Sequence, residues 1–145
     1  MPDKFTMLIR VRYAECDPQK VVFNARYGDY VDLAVTEYYR ALFGSYDRLL
    51  EQGIDNQVVS LKTDWQSSAR FDDVLRITVE PLQFGHTSFS FRLAFYDDET
   101  GRGVAVSDIT YVMVQADSHE KMAIPAFFRE AFEEPCGKLV NLAGI

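Results

Sequence analysis

The sequence predicts an α+β domain, with one long helix packed on the apolar face of an antiparallel sheet. Three observations predict it. The chain opens on a run with strand periodicity, passes into one long run with helical periodicity, and then carries four strand-like runs joined by hairpin-length links. A striped helix and a one-faced sheet bury those surfaces against each other, which is the α+β solution. At 145 residues the chain suits a single domain, 1–145. Such a domain buries roughly 70% of its unfolded surface and needs no metal or disulfide to do so.

The elements follow in order. Phe5 to Tyr13 (FTMLIRVRY) alternates and is rich in β-favouring residues, giving the first strand. Asp17-Pro18 breaks it, because proline lacks an N–H donor and restricts the residue before it. Gln19 to Arg26 is a connector with an apolar patch at Val21-Val22-Phe23. From Tyr27 to about Phe43 the period becomes helical. Tyr27, Tyr30, Val31, Ala34, Tyr38 and Leu42 share one stripe, with Asp29, Thr36 and Arg40 mostly opposite. Asn24 is placed to cap this helix and Gly44 to stop it. Ser45 opens a second short helix that Gly53 closes. Val58–Trp65, Val74–Leu82, Ser88–Phe95 and Gly103–Val114 are the remaining strands. Turn residues separate them at Arg70-Phe71-Asp72-Asp73, Phe84-Gly85-His86 and Asp97-Asp98-Glu99-Thr100-Gly101. Pro125, favoured at a first helical position, opens a last short helix from Ala126 to Glu133.

Composition excludes several classes of function. Fifteen Lys and Arg against 22 Asp and Glu leave a net charge of −7 with no basic run, which argues against a nucleic-acid partner. A few local cations would still suffice for a small anionic ligand. Cys16 and Cys136 are too few for a disulfide framework and wrongly spaced for zinc, and with His86 and His119 as the sole histidines no metal site is expected. No apolar stretch reaches the roughly 18 residues of a membrane span and no signal-peptide pattern opens the chain. A cytoplasmic protein with no membrane partner is expected. Asp64, Asp72, Asp73, Asp97, Asp98 and Glu99 read as solvated charges, without the alternating oxygen pattern of a calcium loop.

The sharpest local feature is Tyr13-Ala14-Glu15-Cys16-Asp17-Pro18, running into Val21-Val22-Phe23-Asn24-Ala25-Arg26-Tyr27. It sets a carboxylate between a strand end and a helix N-terminus. The first turn of a helix offers unpaired N–H groups and the positive end of the macrodipole, so a carbonyl oxygen docked there would be polarised. A nearby Asp could attack the carbonyl carbon or activate water. Taken alone, Asp17-Pro18 reads as an ordinary turn.

These residues change the weighting because the chain resembles the 4-hydroxybenzoyl-CoA thioesterase family of hotdog-fold proteins. The family signature runs from an aromatic residue to a catalytic Asp, two apolar residues, an aromatic residue and a helix-opening Tyr. Tyr13, Asp17, Val21-Val22, Phe23 and Tyr27 match it in order and spacing. The similarity continues through Tyr30 and Asp32, Val59-Ser60-Leu61, Phe71-Asp72-Asp73-Val74-Leu75, Ser88-Phe89 and Ile124-Pro125, nearly the whole chain. The resemblance implies a hotdog, a five-stranded antiparallel sheet wrapped around the long helix, with short extra helices. It implies hydrolysis of an acyl- or aroyl-CoA thioester, with Asp17 as nucleophile or general base and the backbone N–H at Asn24 binding the carbonyl oxygen. It places Tyr13, Phe23, Tyr27, Asp32, Ser60, Thr87 and Ser88 at the substrate. It also implies a dimer, or a tetramer built as a dimer of dimers, with no cofactor beyond the CoA ester itself.

The chain departs from the family pattern in three places. Lys20 stands where the family often has Gly, and Asn24 where many members carry His or Tyr. Gly85-His86-Thr87 replaces the basic cluster with which the aryl-specific branch meets nucleotide phosphates, leaving Lys62, Arg70, Arg92 and Arg129 as unranked candidates. Cys16 would need a histidine to act as a nucleophile and is expected to be an inert thiol. Glu37, within the helix, is expected to be a structural or interface partner. The alternative to a hydrolase is a non-catalytic acyl- or CoA-ester-binding module on the same scaffold, which Lys20 and Gly85-His86-Thr87 favour slightly.

Overall fold

Five consecutive residues, Phe5 to Ile9, are buried, so the first strand is covered on both faces. In the computed structural model, which describes residues 3–145, this strand is β1 (Phe5–Arg10). A 3₁₀ turn follows at Tyr13–Glu15, then α1 (Arg26–Phe43), α2 (Tyr46–Glu51), β2 (Ile54–Trp65) and β3 (Val74–Phe84). The chain continues through β4 (Ser88–Asp97), β5 (Gly103–Gln115), α3 (Ala126–Ala131) and β6 (Leu139–Leu142). The sheet order is β2-β5-β4-β3-β1-β6, antiparallel except where β6 runs parallel to β1.

The helical stripe is the core-facing face of α1. Tyr27, Tyr30, Val31, Ala34 and Tyr38 are buried, and Val35 and Tyr39 widen the stripe. They meet an alternating inner face made by Leu75, Ile77 and Val79 of β3 and Phe89, Phe91, Leu93 and Phe95 of β4. Aromatic rings dominate the contact. Tyr38 meets Phe5, Phe91 and Phe132 with ring centroids 5.2, 5.6 and 5.5 Å apart. Fully burying one such large apolar side chain is worth about 1.5–3 kcal/mol. No helix among the described residues is long and apolar enough to cross a membrane.

Several expectations shift. β1 ends at Arg10 rather than Tyr13, because the Val11 N–H donates to the Asp73 carbonyl (2.8 Å) and the chain curls into the 3₁₀ turn. β2 starts earlier, at Ile54, directly after Gly53 turns the chain at φ 81°. Asn24 is not the cap of α1: Ala25 is, with no side-chain cap bond, while the Asn24 carbonyl accepts from the Tyr27 N–H at 3.3 Å. Pro125 lies outside α3 with an extended ψ of 150°, and the helix ends at Ala131. Asp97 is not solvated. It is buried and closes the β4–β5 turn by accepting from the Thr100 N–H (3.1 Å) and hydroxyl (2.7 Å). The sheet has a sixth strand, β6, whose four mostly exposed residues carry no alternation that would announce it.

Candidate functional site

Asp17 is half-buried in the loop between the 3₁₀ turn and α1. Three bonds define its turn. The Asp17 N–H donates to the Val21 carbonyl (2.9 Å), the Lys20 N–H to the Asp17 carbonyl (2.8 Å), and the Gln19 N–H to Asp17 Oδ1 (2.8 Å). Asp17 Oδ2 has no partner among the described residues. Lys20 completes the turn at φ 67°, a left-handed conformation that glycine adopts freely and lysine does not.

Beneath this turn lies a buried carboxylate. Glu15 accepts from the Arg12 N–H (2.8 Å), from Arg12 Nε and Nη2 (3.0 and 2.6 Å), and from the Tyr30 hydroxyl (2.8 Å). Burial pushes its pKa up, but the Arg12 guanidinium and N–H and the Tyr30 hydroxyl outweigh that and hold the carboxyl below the ordinary glutamate range. The same environment, led by burial, drives Tyr30 well above the ordinary phenol range.

The N-terminus of α1 supplies donors. The Phe23 N–H is used by the Glu15 carbonyl (2.9 Å), and the Arg26 N–H by the Phe23 carbonyl (2.9 Å). Between them, the N–H groups of Asn24 and Ala25 have no backbone acceptor among the described residues. They sit at the positive end of an 18-residue helix, where an oxygen carrying developing negative charge is stabilised.

Asp17 lines two cavities. One, of about 330 Å³, holds Asn24, Tyr27, Trp65, Gln66 and Ser67 along with it. The other, of about 630 Å³, holds Tyr13, Cys16, Pro18, Lys20 and Phe71. Tyr13 is 80% exposed and meets Phe71 edge-on with ring centroids 5.9 Å apart. Tyr27 is buried against Tyr30, Trp65 and Phe95, and its phenol pKa is raised, chiefly by burial.

Asn24, Tyr13 and Tyr27 are therefore brought to Asp17. Phe23 is exposed and lines neither cavity. Asp32 lies on the exposed side of α1, its pKa raised by burial and by Asp29. Ser60 of β2 pairs with Thr110 of β5, Ser88 opens β4 opposite Val112, and the Thr87 carbonyl accepts from the Met113 N–H. Within one chain, these four residues share neither cavity with Asp17.

The candidate cations separate clearly. Lys62 pairs with Asp64 (3.6 Å), Arg92 forks onto Asp108 (2.8 and 3.0 Å), and Arg129 donates to the Gly85 carbonyl (2.6 Å). The Arg70 side chain has no ion-pair or hydrogen-bond partner among the described residues. It lines a cavity of about 540 Å³ with Arg102, and that cavity shares Ser67 and Ser68 with the Asp17 cleft. Arg102 is held by Ser67 Oγ (2.6 Å) and the Ser68 carbonyl (3.0 Å). Cys16 has its thiol pKa raised, first by burial and then by Glu15, Asp17 and Asp73, which disfavours the thiolate. Glu37 pairs with Arg40 at 3.4 Å.

Sequence reading missed Glu15 and Arg102. The opposite charges of Arg12 and Glu15, one 3₁₀ turn apart and just ahead of Asp17, were the available signal for the first. Nothing local marks Arg102, which meets Ser67 and Ser68 across the fold.

Comparisons with known proteins identify the family and the fold. Residues 11–132 match the model of the thioesterase-like superfamily. An acyl-CoA thioesterase, YbgC of Haemophilus influenzae, is 36% identical over 77 residues, which is 52% of this chain and 57% of that protein's length. A thioesterase-superfamily structure from Jannaschia sp. CCS1 superposes with a TM-score of 0.83 at 23% identity, covering 92% of this chain and 94% of that one. A 1,4-dihydroxy-2-naphthoyl-CoA thioesterase from Synechocystis superposes with a TM-score of 0.80 at 18% identity, covering 89% and 95%. The fold is thus the hotdog, and the chain belongs to the thioesterase-like superfamily.

Proposed function

We propose that the protein is a cytoplasmic hydrolase of acyl- or aroyl-CoA thioesters, releasing the free acid and coenzyme A. The observation that carries this reading is the meeting, in one cleft, of the Asp17 carboxylate with the free N–H of Asn24 at the start of α1. The thioester carbonyl oxygen would accept from Asn24 and Ala25, so that negative charge develops at the positive end of the helix. Asp17 then acts in one of two ways. As nucleophile it displaces the CoA thiolate to give a mixed anhydride, which water hydrolyses. As general base it takes a proton from water while the hydroxyl attacks, and the tetrahedral intermediate expels the thiolate. Either route is complete without a metal or redox group.

The CoA ester as substrate is supported by the family and by the activities named for YbgC and the Synechocystis protein. For the CoA phosphates we favour the cavity lined by Arg70, since Lys62, Arg92 and Arg129 have partners of their own; Arg102, beside it, already meets Ser67, Ser68 and Asp73. β2 bears exposed Val58, Val59, Leu61 and Trp65 on a free sheet edge, which supports a homo-oligomer, a dimer or a pair of dimers. A partner chain is the natural means of bringing Asp32, Ser60, Thr87 and Ser88 to the substrate.

The alternative, a non-catalytic binder of CoA esters, draws on Lys20 standing in the Asp17 turn. The test is thiol release from aliphatic and hydroxyaryl CoA esters by the wild type and Asp17→Asn in parallel. Hydrolysis lost in the variant, by about 10³-fold or more, is the expected result. Binding without Asp17-dependent hydrolysis would replace this reading by the alternative.

A further inference from the structure

We infer that Glu15 is a positioning residue for Asp17, clamping the loop that carries it onto α1. This rests on the role given to Asp17 above. Glu15 is 6% exposed, yet its side chain reaches both ends of the machinery. On one side it accepts from the Tyr30 hydroxyl, which stands on α1 itself. On the other it takes the forked Arg12 guanidinium and the Arg12 N–H, where the chain leaves β1. Its main chain makes a third tie, because the Glu15 carbonyl accepts from the Phe23 N–H, immediately before the free donors of Asn24 and Ala25.

From Glu15 the loop zips outward. Cys16 bridges Val22, and Asp17 bonds Val21, so the carboxylate and the helix donors hang from one short ladder rooted at Glu15. A purely structural anchor under this loop could be apolar. Burying a carboxylate is costly unless it is fully hydrogen-bonded, and here four directed donors converge on it. Directed, charge-assisted bonds fix a single geometry where apolar contacts tolerate sliding. Attack on a carbonyl demands that precision, since a misplacement of about 1 Å can cost about 10²-fold in rate.

The test uses Glu15→Gln, Tyr30→Phe and the double variant, with Asp17→Asn alongside. Glu15→Gln keeps the shape but turns two donors towards donors. Tyr30→Phe removes one bond and keeps the ring. The measurements are kcat and KM per folded molecule, affinity for a non-hydrolysable CoA thioether, and near-ultraviolet circular dichroism. We expect kcat to fall by ~10–100-fold in Glu15→Gln and by less in Tyr30→Phe. Thioether affinity should be unchanged in both, and the double variant should be no worse than Glu15→Gln, because the two act as a unit.

Wild-type kcat in folded Tyr30→Phe and Glu15→Gln, with Asp17→Asn inactive, would overturn the inference and leave the Asp17 reading standing. Loss of thioether affinity in step with kcat would also overturn it, reducing Glu15 to a structural role. If Glu15→Gln does not fold, Tyr30→Phe decides alone. Full activity in Asp17→Asn would instead remove the reading on which the inference rests.

Discussion

The Tyr30 hydroxyl donates to the buried Glu15 carboxylate at 2.8 Å, and this bond joins the long helix to the loop ahead of it. It makes stability depend on acid in a defined window. Glu15 has its pKa lowered on folding, so its contribution is complete above the ordinary glutamate value of about 4.3 and is lost as pH falls through the lower folded value. Asp108, held low by the Arg92 fork, acts in the same direction. Urea unfolding of wild type and Glu15→Gln from pH 7 to pH 3 separates the two groups. The stability gap between the proteins should be about 2–4 kcal/mol near neutrality and should narrow progressively as pH falls below about 4.3. A gap of constant size down to pH 3 would mean that the charge on Glu15 does not contribute.

Lys20 makes a second prediction, of opposite sign to the usual rule for glycine. At φ 67° a side chain costs about 1–2 kcal/mol, whereas glycine pays only its larger unfolded-state entropy of about 0.5–1 kcal/mol. Lys20→Gly should therefore be more stable than Lys20→Ala by roughly 1 kcal/mol. Equal denaturation midpoints for the two variants would show that the turn relaxes out of the left-handed region. Thiol release by Lys20→Gly should persist, because the Asp17 turn is set by backbone bonds that glycine also makes.

Periodicity made most of the fold legible, and it failed where local pattern carries no information. The stripe from Tyr27 to Leu42 and the alternation of Phe89, Phe91, Leu93 and Phe95 record which side faces the core. β6 follows no such pattern, since it exists only because β1 leaves an edge free. Asp17 and Asn24 are singled out in the sequence by a family resemblance, and the fold brings them into one cleft. Glu15 could not, since its burial depends on Arg12 and Tyr30 converging in space. Asp97 was misjudged for the converse reason: turn acids are usually solvated, and only the folded turn shows this one buried against Thr100.

Arg70 and Arg102 bear on how the substrate's handle is held. Two guanidinium groups beside one cavity suit phosphate oxygens, while Asp73 in the same cavity limits their combined pull. Arg70→Ala and Arg102→Ala should each raise KM for a CoA ester by about 5–20-fold, equivalent to one charge-assisted bond of about 1–2 kcal/mol, with kcat little changed. The same variants should match wild type on the corresponding pantetheine ester, which lacks the nucleotide. Equal losses on both substrates would remove this cavity from the phosphate assignment.

The free edge of β2 leads to the last prediction. Val58, Val59, Leu61 and Trp65 are 52, 59, 44 and 49% exposed along a 12-residue strand that, among the described residues, pairs only with β5. Such an edge carries unpaired backbone groups beside apolar side chains, and an open one of this length invites uncontrolled association. Closed pairing with a second copy satisfies both. Sedimentation of the wild type should give a mass of two or four chains. Val59→Asp combined with Leu61→Asp should shift it to one chain, since each buried aspartate would lack a partner and cost several kcal/mol. Activity should fall with the loss of assembly if Asp32 and Ser60 serve a site completed by the neighbour. A monomeric variant with full turnover would mean that one chain holds the whole site and that the exposed strand has another use.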